Sequence, residues 1–440
     1  MRRVNIHTVV LVLGVYLPIG LFAQENTWSL DQCIDSALVY NKNLQINRNS
    51  ISIAEEKNRE TKANLIPKVM LNADYKYFTN LPYQLLPLSV FGGPDGQFKE
   101  AQFGVPHNIN ANLQLSMPLY NSQIFGGIKM TETAIELQEL QQQKSEEQIV
   151  FEITNIYYNL QLIQKQKEFL DSNKTNAEKL LSTMKLLQEQ LLAKGTDVSK
   201  VELQLAQLET QIATVNSKRE QLLAALKFAM GLSDLTPIQI DSDIQAHQVN
   251  EYTARPYLDS QLSETKNKLV QNELTMLKNS RLPTLALFGT YGYTGYGYDR
   301  KPNNFLNFYP IGFAGIQLNY TLFNGTVTQR KIKQKNLDLD NSRLQMELVN
   351  DKNNLEVKNA KLQRSAASNS METTQKQMLW AKSIYDQTLF QQKNGTANLT
   401  DVLLADNALR EAQQNYLSST IDYLKADLEL KKATNNLLNK

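Results

Sequence analysis

Few residues in this sequence are spaced for chemistry. Its three histidines are His7, His107 and His247, and none has a cysteine or carboxylate at metal-ligand spacing. No glycine-rich phosphate loop, dinucleotide fingerprint or nucleophile elbow occurs. Most carboxylates stand beside lysines on helical faces, where solvated pairing accounts for them. The one cysteine, Cys33, excludes an intramolecular disulfide. Leu30-Asp31-Gln32-Cys33 superficially matches a bacterial lipidation box, but Asp31 and Gln32 are too large and polar for it. A helix thiol facing the core is expected instead. Thr294-Gly295-Tyr296-Gly297 is a poor potassium-filter match and reads as a loop beside an aromatic girdle. No catalytic residue, cofactor or metal site is expected.

What the sequence does carry is a partition between oil and water. Val69, Leu71, Ala73, Tyr75 and Tyr77 alternate with Asn72, Asp74 and Lys76. Ile109, Ala111, Leu113, Leu115 and Met117 alternate with Asn108, Asn110, Asn112, Gln114 and Ser116. Leu285, Leu287, Tyr291 and Tyr293 share a face. Ala314, Ile316, Leu318, Tyr320 and Leu322 stand opposite Gly315, Gln317, Asn319 and Thr321. Strict alternation marks half-buried strands, here about 68–78, 108–118, 284–294 and 311–322. Segments of about ten residues with tyrosines near one end suit a membrane barrel, apolar toward lipid and polar toward a lumen. Four strands cannot close a barrel alone, and open edges in lipid are prohibitive. Several copies must therefore pool their strands: two give eight, three give twelve.

The strands are positioned by unusually long helical runs. Ser122 to Lys194 contains no proline and only Gly126 and Gly127 near its start; at 1.5 Å per residue it could reach about 110 Å. Thr326 to Asn394 is similar. Leu180, Met184, Leu187 and Leu191, then Val198, Val201, Leu205, Leu208, Ile212 and Val215, step by threes and fours on either side of Gly195-Thr196, as in an antiparallel coiled-coil hairpin. Val402, Leu409, Tyr416 and Tyr423 keep heptad spacing after Gly395-Thr396, but Asp406 and Gln413 fall on that seam. They face a lumen or solvent, or mark a looser pair. The order helix, proline, strand, loop, strand, long helix, Gly-Thr turn, helix occurs twice, so the chain reads as a duplication. The first repeat is 24–230, a polar linker 231–256, and the second repeat 257–440. In this layout the tips lie far from the loops at 79–107 and 295–308.

Arg2 and Arg3, the apolar run Thr8 to Phe22 and the small Ala23 read as a signal peptide over 1–23. The run is too short for a spanning helix and holds Pro18. Net charge is +2, and removal of the leader balances acids and bases at 44 each. Nothing points to nucleic acid.

Ser29-Leu30 with Ala37, Asn41, Leu44, Ala54 and Leu65-Ile66-Pro67, the corners Leu119-Tyr120-Asn121-Ser122 and Leu322-Phe323-Asn324-Gly325, and Gly395-Thr396 before Asp401-Val402-Leu403 and Ala405 form an ordered set. Over nearly all of the mature chain it resembles the TolC-like outer-membrane efflux protein family. The resemblance implies a mainly α chain with a β-barrel part: a homotrimer with a twelve-stranded barrel and a coiled-coil periplasmic tube. It implies tips at Gly195, Thr196, Gly395 and Thr396 that dock a periplasmic adaptor (membrane fusion) protein joined to an inner-membrane pump of RND or ABC type. It places Asp401 in an acidic ring at the periplasmic gate, with Leu404, Ala397 and Val201 departing from the family pattern there. The expected function is a passive gated duct for efflux or type I secretion, set in outer-membrane lipid and opening when the hairpins splay. The alternative is a non-conducting periplasmic coiled-coil scaffold or adhesin, which has no reason to alternate polar and apolar residues in four segments.

Overall fold

The computed structural model describes residues 27–241, 251–253, 255–299 and 305–438. The expected signal peptide, His7 and His247 lie outside them. In chain order the elements are β1 (Thr27–Trp28), α1 (Leu30–Tyr40), α2 (Lys42–Ala63), β2 (Lys68–Tyr77), β3 (Tyr83–Pro87), β4 (Phe98–Gln102), β5 (His107–Tyr120), α3 (Ser122–Glu189), α4 (Gly195–Met230), β6 (Gln239–Ile240), α5 (Leu258–Asn279), β7 (Thr284–Tyr298), β8 (Phe305–Asn319), α6 (Val327–Lys393) and α7 (Leu399–Ala433). The 68 residues of α3 extend about 100 Å. No helix among the described residues is long and apolar enough to cross a membrane.

Side chains set the helix starts. The Ser29 and Gln32 side chains each accept from the other's backbone N–H, at 3.3 and 3.0 Å, a capping box that opens α1. Gln32 thus has a structural task, and Cys33 turns inward, fully buried, with its thiol pushed up to about 12 by burial. Asn41 caps α2 by accepting from the backbone of Asn43 and Leu44. Asn121 accepts from the Gln123 backbone at 2.9 Å at the corner into α3.

The chain forms two compact units. Among the described residues, one comprises 27–37, 153–241 and 381–417; the other comprises 38–152, 251–253, 255–299, 305–380 and 418–438. In the second unit, α3 and α5 approach so closely that a Cβ on Gly126 would lie 2.5 Å from Met276 Cγ. Ser122 donates to the Asn279 carbonyl at 2.7 Å and Lys268 pairs with Glu136 at 2.7 Å. Arg364 pairs with Asp427 at 2.9 Å, and the Tyr252 hydroxyl donates to the same carboxylate at 2.8 Å.

The second unit also holds an antiparallel sheet in the order β2-β5-β7-β8. Its register aligns the four alternations. Leu71 stands opposite Leu113, Leu113 opposite Tyr291, and Leu287 opposite both Met117 and Ile316. Paired residues project to the same side, so one face is apolar across all four strands. Asn72 opposite Asn112, and Asp74 opposite Asn110, share the other face. Glycines in β7 and β8 make room for rings: Phe308 lies over Gly295, Tyr291 over Gly312 and Phe288 over Gly315. A Cβ on Gly292 would fall 2.2 Å from the Ala111 carbonyl oxygen, so only glycine fits there.

Three expectations about the sheet need correction. β7 and β8 stay paired out to Tyr298 and Phe305, so Thr294 to Gly297 lie in a strand and not in a loop. β8 ends at Asn319, leaving Thr321 beyond the ladder. His107 likewise opens β5 instead of lying in a loop, with its Nδ1 2.7 Å from the Tyr75 hydroxyl and its Nε2 3.9 Å from Asp299. The expected loop after β2 contains the β3–β4 hairpin.

Candidate gate and docking tips

The first unit packs both hairpins into common helical layers. Leu180 and Met184 of α3, Val198 and Val201 of α4, Tyr385 of α6, and Val402, Ala405 and Leu409 of α7 form one buried cluster. The heptad tracks thus meet across four helices, where the sequence suggested separate pairs. Leu191, the last position of the first track, departs from it: α3 has already ended at Glu189, and Leu191 is 92% exposed.

Asp406 sits within this apolar layer, 5% exposed. Its carboxylate accepts a side-chain hydrogen bond from Gln204 of α4 and pairs with Arg410, one turn along α7, at 2.9 Å. Burial raises the Asp406 pKa above the ordinary carboxylate value, opposed by Arg410 and Gln204. Tyr385 of α6 faces the same carboxylate, and burial pushes its hydroxyl up to about 12. Gln413, the other polar residue on the seam, accepts from Asn173 of α3 at 2.9 Å, and Gln166 donates to Gln414 at 3.2 Å. These amide contacts border a groove of ≈ 640 Å³ lined by Gln207, Thr210, Asn407 and Glu411 among others. Neither seam residue faces outward alone; both join α7 to the other hairpin.

The two tips are built alike, but on different residues than the Gly-Thr repeat suggests. At the end of α6, Gly395 N–H donates to the Gln392 carbonyl at 3.0 Å and Thr396 N–H to that of Gln391 at 2.9 Å, with Gly395 at φ 75. At the end of α3, Leu191 N–H donates to the Gln188 carbonyl at 2.9 Å and Leu192 N–H to that of Leu187 at 2.8 Å, with Leu191 at φ 60. Both are Schellman caps, so Leu191, not Gly195, is the structural counterpart of Gly395. Gly195 opens α4. The left-handed conformation costs leucine about 1–2 kcal/mol. Thr196 follows Gly195 in the first turn of α4, and Thr396 donates its hydroxyl to the Gln391 carbonyl at 3.0 Å. Asp401 accepts from the Asn398 backbone at 3.0 Å while Asn398 Oδ1 accepts from the Asp401 backbone at 2.9 Å. This reciprocal cap starts α7 and leaves Asp401 exposed.

In the sheet, Asn72, Asp74, Lys76, Asn110, Asn112, Gln114, Ser116, Gln317 and Asn319 lie on one face by register. Asn110 donates to Asp74 at 3.2 Å and Asn72 to Gln114 at 3.3 Å across the strands. That polar face is not uniform: Phe288 and Phe313 share it, their rings 6.2 Å apart. Period-two alternation hid these rings, because β7 and β8 are apolar on both sides there.

A one-faced sheet with open edges, carried on helices of this length, defines a channel-forming outer-membrane protein. Residues 33–232 and 266–436 match the outer membrane efflux protein family, and the chain belongs to it. Outer membrane protein TolC of Salmonella enteritidis is 21% identical, across 97% of this chain and 86% of its own length. VceC of Vibrio cholerae shares the fold with a TM-score of 0.71 at 14% identity, covering 92% of this chain and 95% of that one. The outer membrane channel CmeC of Campylobacter jejuni gives 0.73 at 15% identity, over 92% and 85%. The protein is an outer-membrane efflux channel and not an enzyme.

Proposed function

We propose that the chain is the outer-membrane duct of a tripartite efflux or type I secretion apparatus, working as a homotrimer. The observation that carries this reading is the sheet with one apolar face and unpaired outer edges on β2 and β8. Backbone groups unpaired in hydrocarbon are prohibitive, so β8 of one copy pairs with β2 of the next. The helices offer matching surfaces. Leu337, Leu344, Leu348, Leu355 and Leu362 form an exposed stripe on α6, and Ile46 and Ile53 one on α2. A stripe of this size on a single copy asks for a protein partner.

The polar sheet face lines the lumen, and the tips dock a periplasmic adaptor that bridges to an inner-membrane pump of RND or ABC type. Gly195, Thr196, Gly395 and Thr396 stay in the docking surface. Exposed Leu191 and Leu192 join them as its apolar part. Asp401 stays at the periplasmic gate. The Gln204–Asp406–Arg410 contact holds the hairpins together behind it, and conduction follows when α7 swings off α4. The duct supplies no energy of its own. A photo-crosslinker at Leu192 in living cells tests the reading. Capture of an adaptor together with its pump is expected; capture of neither, with the protein correctly inserted, would remove the docking role.

A further inference from the structure

The β3–β4 hairpin has a surface that neither lipid nor water suits. The β2–β5 ladder ends at Tyr77 opposite His107 and then runs on through Phe78 N–H to the Pro106 carbonyl at 2.8 Å and Phe103 N–H to that of Pro82 at 3.2 Å. β3 and β4 continue this ribbon, Tyr83 opposite Gln102 and Pro87 opposite Phe98. β7 and β8 do not accompany it; the ribbon is two-stranded. Tyr83, Leu85 and Phe98 share one face, with Glu100 and Gln102 beside them on it, and Val90 and Phe91 crown the turn. All five apolar residues are at least 60% exposed.

Water leaves this surface unfavourably solvated, and a lone two-stranded ribbon is marginal without a packed face. Hydrocarbon is excluded by the unpaired outer edges of both strands. The remaining occupant is protein. The ribbon grows directly out of β2, the edge strand at which a neighbouring copy joins, so the surface is continuous with that seam. We propose that the occupant is the same hairpin in the neighbouring copies, and that the hairpins pack together across the outer mouth as a cap. This rests on the pooling of strands proposed above.

The test uses Phe91→Cys in the full chain in intact outer membranes, with copper-phenanthroline as oxidant. Cys33 is buried, so the unsubstituted protein is the blank. A band at twice the protomer mass is expected on a non-reducing gel. In a separate variant, Tyr83→Ser with Leu85→Ser and Phe98→Ser is expected to raise single-channel conductance severalfold. A heat-dissociable oligomer that neither cross-links nor changes conductance would overturn the cap alone. A monomer on the same gel would overturn the cap and the pooling together.

Discussion

Gln204 donates its side-chain amide to the Asp406 carboxylate, joining α4 of the first hairpin to α7 of the second inside an apolar layer. Removing one partner of a buried, charge-assisted contact costs far more than the contact is worth net. Asp406→Ala is therefore expected to destabilise the hairpin pair by about 3 kcal/mol and to raise the open probability in bilayer recordings. Replacing Gln204, Asp406 and Arg410 together with leucine should recover most of that stability, because no member of the buried contact is then left without its partner. Denaturant midpoints and open probabilities of the three proteins check this.

The same carboxylate gives a pH dependence. Its folded-state pKa is raised by burial, so the folded pair binds the proton more tightly than the unfolded chain does. The favourable contribution is present in full below the ordinary value of 3.8 and is lost as pH rises through the raised value. Acidification through that window should favour the closed, packed pair. Asp406→Asn should flatten the profile, measured as closed fraction against pH.

At the tips, capping geometry separates strain from docking. Leu191→Gly removes the left-handed penalty and is expected to stabilise the first hairpin by about 1 kcal/mol, yet to weaken export by deleting an exposed apolar side chain. Gly395→Val introduces the penalty instead, about 1–2 kcal/mol, with no neighbour in the way. Unfolding midpoints and substrate efflux from the same cells distinguish the two effects.

Register makes the two sheet faces unequal. Leu113→Lys on the apolar face should cost about 2–4 kcal/mol near the membrane midplane and reduce insertion. Asn112→Lys, one residue away on the polar face, should insert normally and shift ion selectivity toward anions. Heat-modifiability on gels and reversal potentials under a salt gradient check the pair.

The strand alternations were legible because each side chain of a membrane strand answers to one solvent, so the pattern survives without tertiary information. The long helices were legible because they lack breakers. The capping geometry of the tips is not legible: the Gly-Thr repeat at 195 and 395 suggests equivalent turns, while the left-handed position that ends α3 is held by Leu191, a residue type that gives no sign of it. Asp406 stood out on the seam, but its partner Gln204 could not be found, since the α4–α7 pairing depends on tertiary packing. The β3–β4 hairpin was missed because its strands are five residues each and lack clean alternation.

The claim on which the rest depends is that copies share their strands to form a water-filled pore. Detergent-purified protein, recorded in a planar bilayer before and after heat dissociation of its oligomer, tests that most directly. Discrete, ohmic channels that vanish with the oligomer are the expected result. A protein that stays monodisperse without detergent and leaves the bilayer silent would contradict it.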